Sequence, residues 1–226
     1  ADREAKRKEL IDHYRAAFSN PYVAGARRLV DDIIEPAQTR PFLAAALEAL
    51  HTRVSIPALG EPGPTPDQLQ NILRAAARAN DHGLMRPWKF LIVEGDARAK
   101  LGEVFVQAAR EEGVSPEKFA DIASKTLRAP MIIIVVAAAR PNPKVPDIEQ
   151  QYSAASAAQL MAVAAHAQGL GSVWRTGDVA YKPRVKELLG LAPADHIVGF
   201  LYLGAPKAQK PTPDIDPAAY ATRWVG

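Results

Sequence analysis

The chain has 226 residues, enough for one sizeable core, and its 48% hydrophobic and 23% charged residues are typical of a globular protein. Lysine and arginine (28) nearly balance aspartate and glutamate (25), and the basic residues are scattered apart from REAKRKEL at the start, which argues against a nucleic-acid-binding surface. Cysteine is absent, which excludes disulfides, a thiol nucleophile and a cysteine-based metal site.

The chain opens with a charged segment, ADREAKRKEL, that does not resemble a signal peptide. Its most apolar stretch, APMIIIVVAAA (residues 129–139), is too short to span a bilayer and lies between prolines, so it predicts a buried strand. We therefore expect a cytoplasmic protein without membrane association. The missing initiator Met leaves open a processed product, an engineered piece or part of a longer chain.

Two helices are predicted near the start. Helical periodicity covers residues 6–18 and ends at SNPY, and GARRLVDDIIEP (residues 25–36) then places apolar residues between charged ones. Thr39 is suited to cap a second helix, which tolerates Pro41 in its first turn and runs to about His51.

The next part of the chain alternates between helices and strands. Proline and glycine forbid regular structure in VSIPALGEPGPTP (residues 54–66), and Thr65-Pro66-Asp67 then begins the helix DQLQNILRAAARA. We predict a strand at 88–95, helices at about 97–112 and 116–127, and the strand at 129–139.

The last third contains a helix of unusual composition. SAASAAQLMAVAAHAQG (residues 153–169) is nearly all small or apolar, which predicts a helix buried on all sides. Its small side chains would let another backbone approach closely, and in so short a chain that neighbour could be a second subunit. Strands at 171–177 and 197–206, with the helix KPRVKELLG between them, complete the domain, and the proline-rich tail predicts an extended arm that packs on another surface.

Familiar catalytic motifs are missing. Gly169-x-Gly171 lies between a helix and a strand, the reverse of the dinucleotide fingerprint, so we predict Gly169 as a helix C-cap. No histidine pair has metal-ligand spacing, and no Gly-x-Ser-x-Gly elbow occurs. We therefore expect no metal and no catalytic side chain, and a bound cofactor becomes the better carrier of the chemistry.

Cationic, hydroxyl and aromatic side chains remain at the ends of predicted elements. They are Arg53, Ser55, Arg78, His82 and the run Trp174-Arg175-Thr176. Arginine and hydroxyl groups suit a phosphate, although surface or interface salt bridges are the more common use of such residues. The residues alone leave both interpretations open.

Three segments, in this order and spacing, resemble the minimal FMN-dependent nitroreductases over residues 47–226. They are TRVSIPALGEPGPTPDQLQNILRAAARANDHGLMRPWKFLIVEG, QYSAASAAQLMAVAAHAQGLGSVWRTG and IVGFLYLGAP. The resemblance implies an α+β fold whose mixed, mainly antiparallel central sheet is flanked by helices, in an intertwined homodimer with FMN in two interfacial clefts. It also implies ping-pong transfer of hydride from NAD(P)H through the flavin to nitroaromatic compounds, quinones or enones.

The resemblance also implies which residues bind FMN. Arg53 and Ser55 match contacts to the phosphate and ribityl chain, and Val54 stands where a second arginine is usual. Arg78 and His82 match flavin-contacting positions. The run Trp174, Arg175 and Thr176 matches a stretch that reaches FMN from the other subunit.

A further stretch matches the family's nicotinamide-binding segment. It consists of Ala164, Ala165, His166, Ala167, Gln168 and Gly169. Because this stretch ends the apolar helix, its side chains are expected to be largely buried.

The start of the chain resembles a different family. Residues of about 5–50, and YRAAFSNPYVAGARRLVDDIIEPAQTRPFLAAALEAL in particular, resemble the C-terminal tail of the acyl-CoA (propionyl-CoA type) carboxylase carboxyltransferase β subunit. The prediction is therefore a helical extension at 1–46 and an FMN-binding domain at 47–226. A natural fusion, an engineered chimera and a decorating tail all stay open, as does the alternative of a non-catalytic flavin-fold module associated with a carboxylase partner.

Overall fold

The computed structural model describes residues 2–18 and 39–226, and it divides into two compact units, 1–46 and 47–226. The first unit holds helix α1 (Asp2–Phe18) and the start of helix α2 (Thr39–Thr52). Both predicted helices are confirmed, with α1 beginning earlier than expected. The SNPY break and the segment 25–36 lie outside the described residues.

The second unit is built on a five-stranded sheet. Its strands are β1 (Leu59–Gly60), β2 (Trp88–Glu94), β3 (Met131–Ala137), β4 (Gly171–Arg175) and β5 (His196–Pro206). Strands β2, β3 and β5 lie side by side in that order. Strands β4 and β1 both pair with the edge of β5 that faces away from β3, and they occupy successive stretches of it. Each pairing between these strands is antiparallel, so the predicted mainly antiparallel sheet is confirmed.

The described part of the second unit contains the end of α2 and five further helices, which flank the sheet. They are α3 (Pro66–Ala76), α4 (Ala97–Glu111), α5 (Phe119–Ser124), α6 (Asp147–Ala167) and α7 (Pro183–Leu188). The single helix predicted over 116–127 is instead α5 between two short 3₁₀ turns.

Helix α3 begins where the sequence predicts. The Thr65 hydroxyl accepts a hydrogen bond from the Gln68 backbone N–H (3.2 Å), and the Gln68 side chain accepts one from the Thr65 N–H (3.0 Å). Pro66 takes the first helical position, where a missing N–H removes no intrahelical bond. This capping box fixes the point at which the proline-rich loop becomes a helix.

Strand β3 separates two cores, since each of its residues is buried. On one face α3 and α6 pack against Ile133, Val135 and Leu201, and on the other α4 and α7 pack against Ile132 and Ile134. A strand buried on both faces explains the continuous apolar run that the sequence shows.

Helix α6 differs from the prediction in its start and in its burial. It begins at Asp147, and its small residues, such as Ala157 and Ala158, are fully buried against the sheet. Within the single chain the predicted segment is not buried on all sides, because Ser156, Gln159 and Ala167 are exposed. Ile148 (48%) and Tyr152 (62%), in the part of α6 before that segment, are exposed as well. The exposed stripe of α6 is therefore apolar at its start and polar farther along, and no described residue covers it.

The C-terminal tail forms the extended arm that the prolines predict. Apart from a 3₁₀ turn at Pro217–Tyr220 it has no regular structure after β5. Tyr220 and Trp224 are 83% and 90% exposed, so the surface on which the arm was expected to pack is not provided by the described part of this chain.

Candidate functional site

The free edge of β4 brings two predicted site segments together. The Ile56 N–H donates to the Ser172 carbonyl (2.8 Å), so the segment before β1 lies along the side of β4 that β5 does not cover. Val54 and Ile56 pack into the core, and successive side chains of an extended segment alternate, so Arg53 and Ser55 point away from that core. Val54 is thus a partly buried packing residue on the core side of this segment.

The C-terminal segment adds two lysines to the same place. The Lys207 N–H donates to the Ala58 carbonyl (3.0 Å), and the Thr212 hydroxyl donates to the Thr52 carbonyl (3.3 Å). Lys207 and Lys210 therefore lie in a segment that runs beside residues 52–58. The sequence analysis missed them; their signal was a pair of lysines directly after the last strand.

The cations at this edge lack anionic partners. No described residue forms an ion pair or a side-chain hydrogen bond with Arg53, Lys207 or Lys210. Ser55 is exposed beside them. Unpaired cations next to a free hydroxyl are the donor set that a phosphate monoester requires.

The run at the end of β4 lies on the same chain and the same edge as Arg53. Trp174 packs on the α6 side of the sheet and donates from its indole Nε1 to the Val198 carbonyl (3.3 Å). A Cβ at Gly199 would lie 2.1 Å from that nitrogen, so only glycine fits beneath the indole. Arg175 and Thr176 are exposed.

The predicted nicotinamide segment lies beside the Arg53 segment, at the C-terminal end of α6. His166 Nε2 is 2.8 Å from the Thr52 hydroxyl, and the Gln168 carbonyl accepts from the side chain of Gln68 (3.2 Å). Gly169 (φ 77°) donates to His166, and Leu170 donates to Ala165, which completes a Schellman motif and confirms the predicted C-cap. Ala165 is fully buried and Ala164 is half-buried, whereas Ala167 is exposed. The role of this segment in nicotinamide binding stays a prediction.

His82 lies at the other end of α6. His82 Nδ1 is 2.6 Å from a carboxylate oxygen of Glu149, in the first turn of that helix. Arg78 is exposed just after α3 and has no ion-pair partner among the residues with described side chains.

The loop after His82 is strained. Leu84 (φ 54°) and Arg86 (φ 46°) adopt the left-handed region that favours glycine. The Asp81 carboxylate accepts from the Arg86 N–H (2.7 Å) through one oxygen, and its other oxygen is buried with no hydrogen-bond partner within 2–18 and 39–226. Such strain and an unsatisfied polar atom are typical of a binding surface rather than of simple packing.

The two groups of predicted residues are far apart within one chain. His82 contacts the first turn of α6 and Thr52 contacts its last turn, so the groups are about 25 Å apart at a rise of ~1.5 Å per residue. One FMN is shorter than this separation. The structure therefore brings the Arg53 segment to β4 at Ser172, two residues before Trp174, and it does not bring that segment to His82.

Across 2–18 and 39–226, no group of three histidine, aspartate or glutamate side chains is arranged to hold a metal ion. Among the helices of those same residues, none combines the length and apolarity needed to cross a membrane.

Comparison with protein families gives two matches. The nitroreductase family profile matches residues 51–205, and the carboxyl transferase domain profile matches residues 1–59. "Putative NAD(P)H nitroreductase YdjA" of Escherichia coli K12 is 46% identical over 167 residues, which cover 74% of this chain and 91% of that protein.

The N-terminal part has its own relatives. The methylmalonyl-CoA carboxyltransferase 12S subunit of Propionibacterium freudenreichii is 52% identical over 52 residues, which are 23% of this chain and 10% of that protein. The expected carboxyltransferase resemblance is thus confirmed for a short segment.

Solved structures share the fold of the second unit. A nitroreductase-like family protein from Bacillus cereus superposes with a TM-score of 0.70 at 24% identity, covering 80% of this chain and 96% of that one. An FMN-dependent nitroreductase from Clostridium difficile gives 0.59 at 19% identity, covering 79% and 99%.

Proposed function

Because this chain belongs to the nitroreductase family, we propose that it is an FMN-dependent NAD(P)H oxidoreductase that reduces nitroaromatic compounds, quinones or related acceptors in a ping-pong reaction. The observation that carries the proposal is the unpaired cationic cluster along the free edge of β4. Relatives named as NAD(P)H nitroreductases and a structural neighbour named as FMN-dependent support the choice of cofactor and reductant.

The phosphate end of FMN fits the Arg53 segment. Arg53 offers a guanidinium that can bind two phosphate oxygens, Ser55 offers a hydroxyl, and Lys207 and Lys210 add charge from the neighbouring segment. The contact between Thr52 and His166 fixes the residue directly before Arg53, so the predicted nicotinamide segment also supports the phosphate site.

The flavin ring would lie along the end of β4. There Trp174, Arg175 and Thr176 present the free edge of a strand, whose backbone groups can hydrogen bond to the ring. Bound FMN supplies the two-electron chemistry; the chain's groups bind the ring, orient it and cover one face.

Completion of the site requires a second chain. Since His82 is about 25 Å from the Arg53 segment along α6, at ~1.5 Å per residue, it would complete the FMN site of a partner subunit, together with Arg78 four residues before it. The exposed stripe of α6 with Ile148 and Tyr152 is the apolar surface on which two copies would meet. This homodimer differs from the sequence-based assignment, because Trp174–Thr176 and Arg53 now belong to the same subunit.

An absorbance experiment tests the function. The purified full chain, supplemented with FMN and freed of excess, should carry a flavin spectrum that NAD(P)H bleaches without oxygen and that a nitroarene or quinone restores. A colourless protein, or a bound flavin that neither NADH nor NADPH reduces, would contradict the proposal. The rates at which a nitroarene and a quinone restore the flavin spectrum then show which of the two the chain reduces faster.

The match of residues 1–59 to the carboxyl transferase domain supports a second candidate. In this alternative the N-terminal helices dock the chain on an acyl-CoA carboxylase, with or without a catalytic flavin. Immobilised full chain should then retain purified carboxylase subunits, and a chain lacking residues 1–38 should not. Equal retention by both chains, or none, would reject the docking role without affecting the flavin chemistry.

A further inference from the structure

A cavity of about 480 Å³ lies on the opposite side of the sheet from α6, between α4, α5 and the end of β4. Its volume is in the range of small-molecule binding sites. Its floor is aromatic, because Phe105 and Phe200 meet there edge to face with ring centroids 5.4 Å apart. Ile122 and Val179 extend this apolar floor.

The rim of the cavity is positively charged. Five cations line it, against two carboxylates; the cations are Lys118, Lys125, Arg128, Arg175 and Lys182. Three of the five already have partners: Lys125 and Arg128 approach Asp121, at 3.3 and 3.9 Å, and Lys182 pairs with Glu112. Arg175 and Lys118 have no anionic partner among the residues that the structure describes.

A buried phenol reaches the same cavity. Tyr202 is 4% exposed and lines the cavity, yet its hydroxyl has no hydrogen bond to any part of the chain described. Burial raises the pKa of Tyr202, although the positive charges of Arg175 and Arg128 act in the opposite direction. The phenol therefore stays protonated at neutral pH and can donate a hydrogen bond. The hydroxyl is not one of the fully buried polar atoms of the described residues, so it opens to the cavity, where water or a ligand can accept from it.

We propose that this cavity binds a small aromatic carboxylate, whose carboxylate accepts from the Tyr202 hydroxyl and pairs with Arg175 and whose ring packs on Phe105 and Phe200. The site is separate from the proposed FMN site, because Trp174 and Arg175 are successive residues of β4 and their side chains point to opposite faces of the sheet. The backbone of Arg175 would thus contact the flavin, and its side chain would contact the carboxylate in the cavity.

Calorimetric titration with trans-cinnamate and with the neutral trans-cinnamamide tests the proposal on the full chain incubated with FMN. Cinnamate should bind, and the amide should bind at least about tenfold more weakly, because it lacks the charge. Tyr202→Phe should weaken cinnamate binding about two- to tenfold through loss of one hydrogen bond. Lys118→Gln should weaken it several-fold, whereas Lys100→Gln, an exposed cation of α4 outside the cavity, should leave it unchanged.

Several outcomes would overturn the proposal. These are no binding of cinnamate, equal binding of the amide, or unchanged affinity in Tyr202→Phe with normal circular dichroism. Displacement of cinnamate by added FMN would assign the cavity to the flavin. Binding that appears only after removal of residues 211–226 would assign it to the C-terminal arm. A chain that binds cinnamate but no flavin would support this inference and contradict the proposed function, so the two can fail separately.

Discussion

At the scale of single residues, Arg53 decides whether the phosphate site is functional. Its guanidinium has no partner among the described residues, and neighbouring contacts at Thr52 and Ile56 hold its backbone in place. Arg53 therefore breaks no internal ion pair when it binds an anion. We expect the side chain to contribute to cofactor binding rather than to folding.

Arg53→Gln should weaken FMN binding about 10- to 100-fold, the range expected for loss of a charged hydrogen-bonding group. Fluorescence titration of FMN into the flavin-free chain measures the change. Arg74→Gln, which removes an exposed arginine of α3, is the matched control and should bind FMN as the unmodified chain does. Equal affinity in both variants would place the phosphate elsewhere.

Tyr202 makes stability depend on alkaline pH. Burial favours its neutral form in the folded state, so its pKa is raised above the ordinary 10.0, against the opposing effect of Arg175 and Arg128. The stabilisation is complete below pH 10.0 and is lost as the pH rises through the higher folded-state value.

The free energy of unfolding should therefore decrease less steeply above pH 10.0 in Tyr202→Phe than in the unmodified chain. Urea titrations across that pH range give the slopes. Tyr181→Phe, at a tyrosine that is 74% exposed, should reproduce the unmodified slope. A Tyr202→Phe slope equal to that of Tyr181→Phe would show that the phenol does not titrate differently on folding.

At the scale of elements, local signals in the sequence predicted more than patterns of composition did. The start of α3 and the end of α6 follow from Thr65 and Gly169, because caps act through bonds to the nearest residues. The extent of burial of α6 did not follow, because an apolar helix reveals that its faces need cover but not which molecule provides it. Likewise, Lys207 and Lys210 join the site through contacts between distant segments, which spacing along the chain does not encode.

Thr65→Ala removes the hydroxyl that accepts from the Gln68 N–H, while the backbone N–H of residue 65 can still donate to the Gln68 side chain. The loss of this one bond should lower the free energy of unfolding by about 0.5–2 kcal/mol. Urea unfolding at fixed chain and FMN concentrations measures this, since ligand binding also shifts stability. Gln70→Ala, at an exposed position of the same helix, should change it by less than ~0.5 kcal/mol. If Gln70→Ala lowered the free energy of unfolding by as much as Thr65→Ala does, the effect would not come from the cap.

At the scale of the whole molecule, α6 has two roles. Its small residues pack against the sheet, and its exposed stripe is the surface proposed for a second copy. The fold of the single unit could be predicted from the family resemblance, and that prediction is confirmed by the match over residues 51–205. A divided FMN site was also expected from the resemblance, but the proposed assignment of His82, rather than Trp174–Thr176, to the second subunit could not be predicted, because it depends on the distance between the ends of one helix.

Tyr152→Lys places a charge at the centre of the proposed interface and should weaken the dimer at least about tenfold, because an unpaired charge is costly to bury. Sedimentation equilibrium measures the dimer, and flavin content should fall with it. Leu127→Lys, at another exposed apolar side chain outside α6, should change neither quantity. A monomer that keeps its flavin would contradict the divided site.

The length of α6 also has a genetic consequence. If Arg53 and His82 of one chain serve different sites, then two defective alleles can restore one another. In a mixed dimer of an Arg53→Gln chain and a His82→Ala chain, one site carries both defects and the other carries neither. Random pairing in a cell that expresses both would leave about one site in four intact. Two variants that are inactive alone would then give measurable activity when co-expressed, and separate expression followed by mixing would show how readily the subunits exchange.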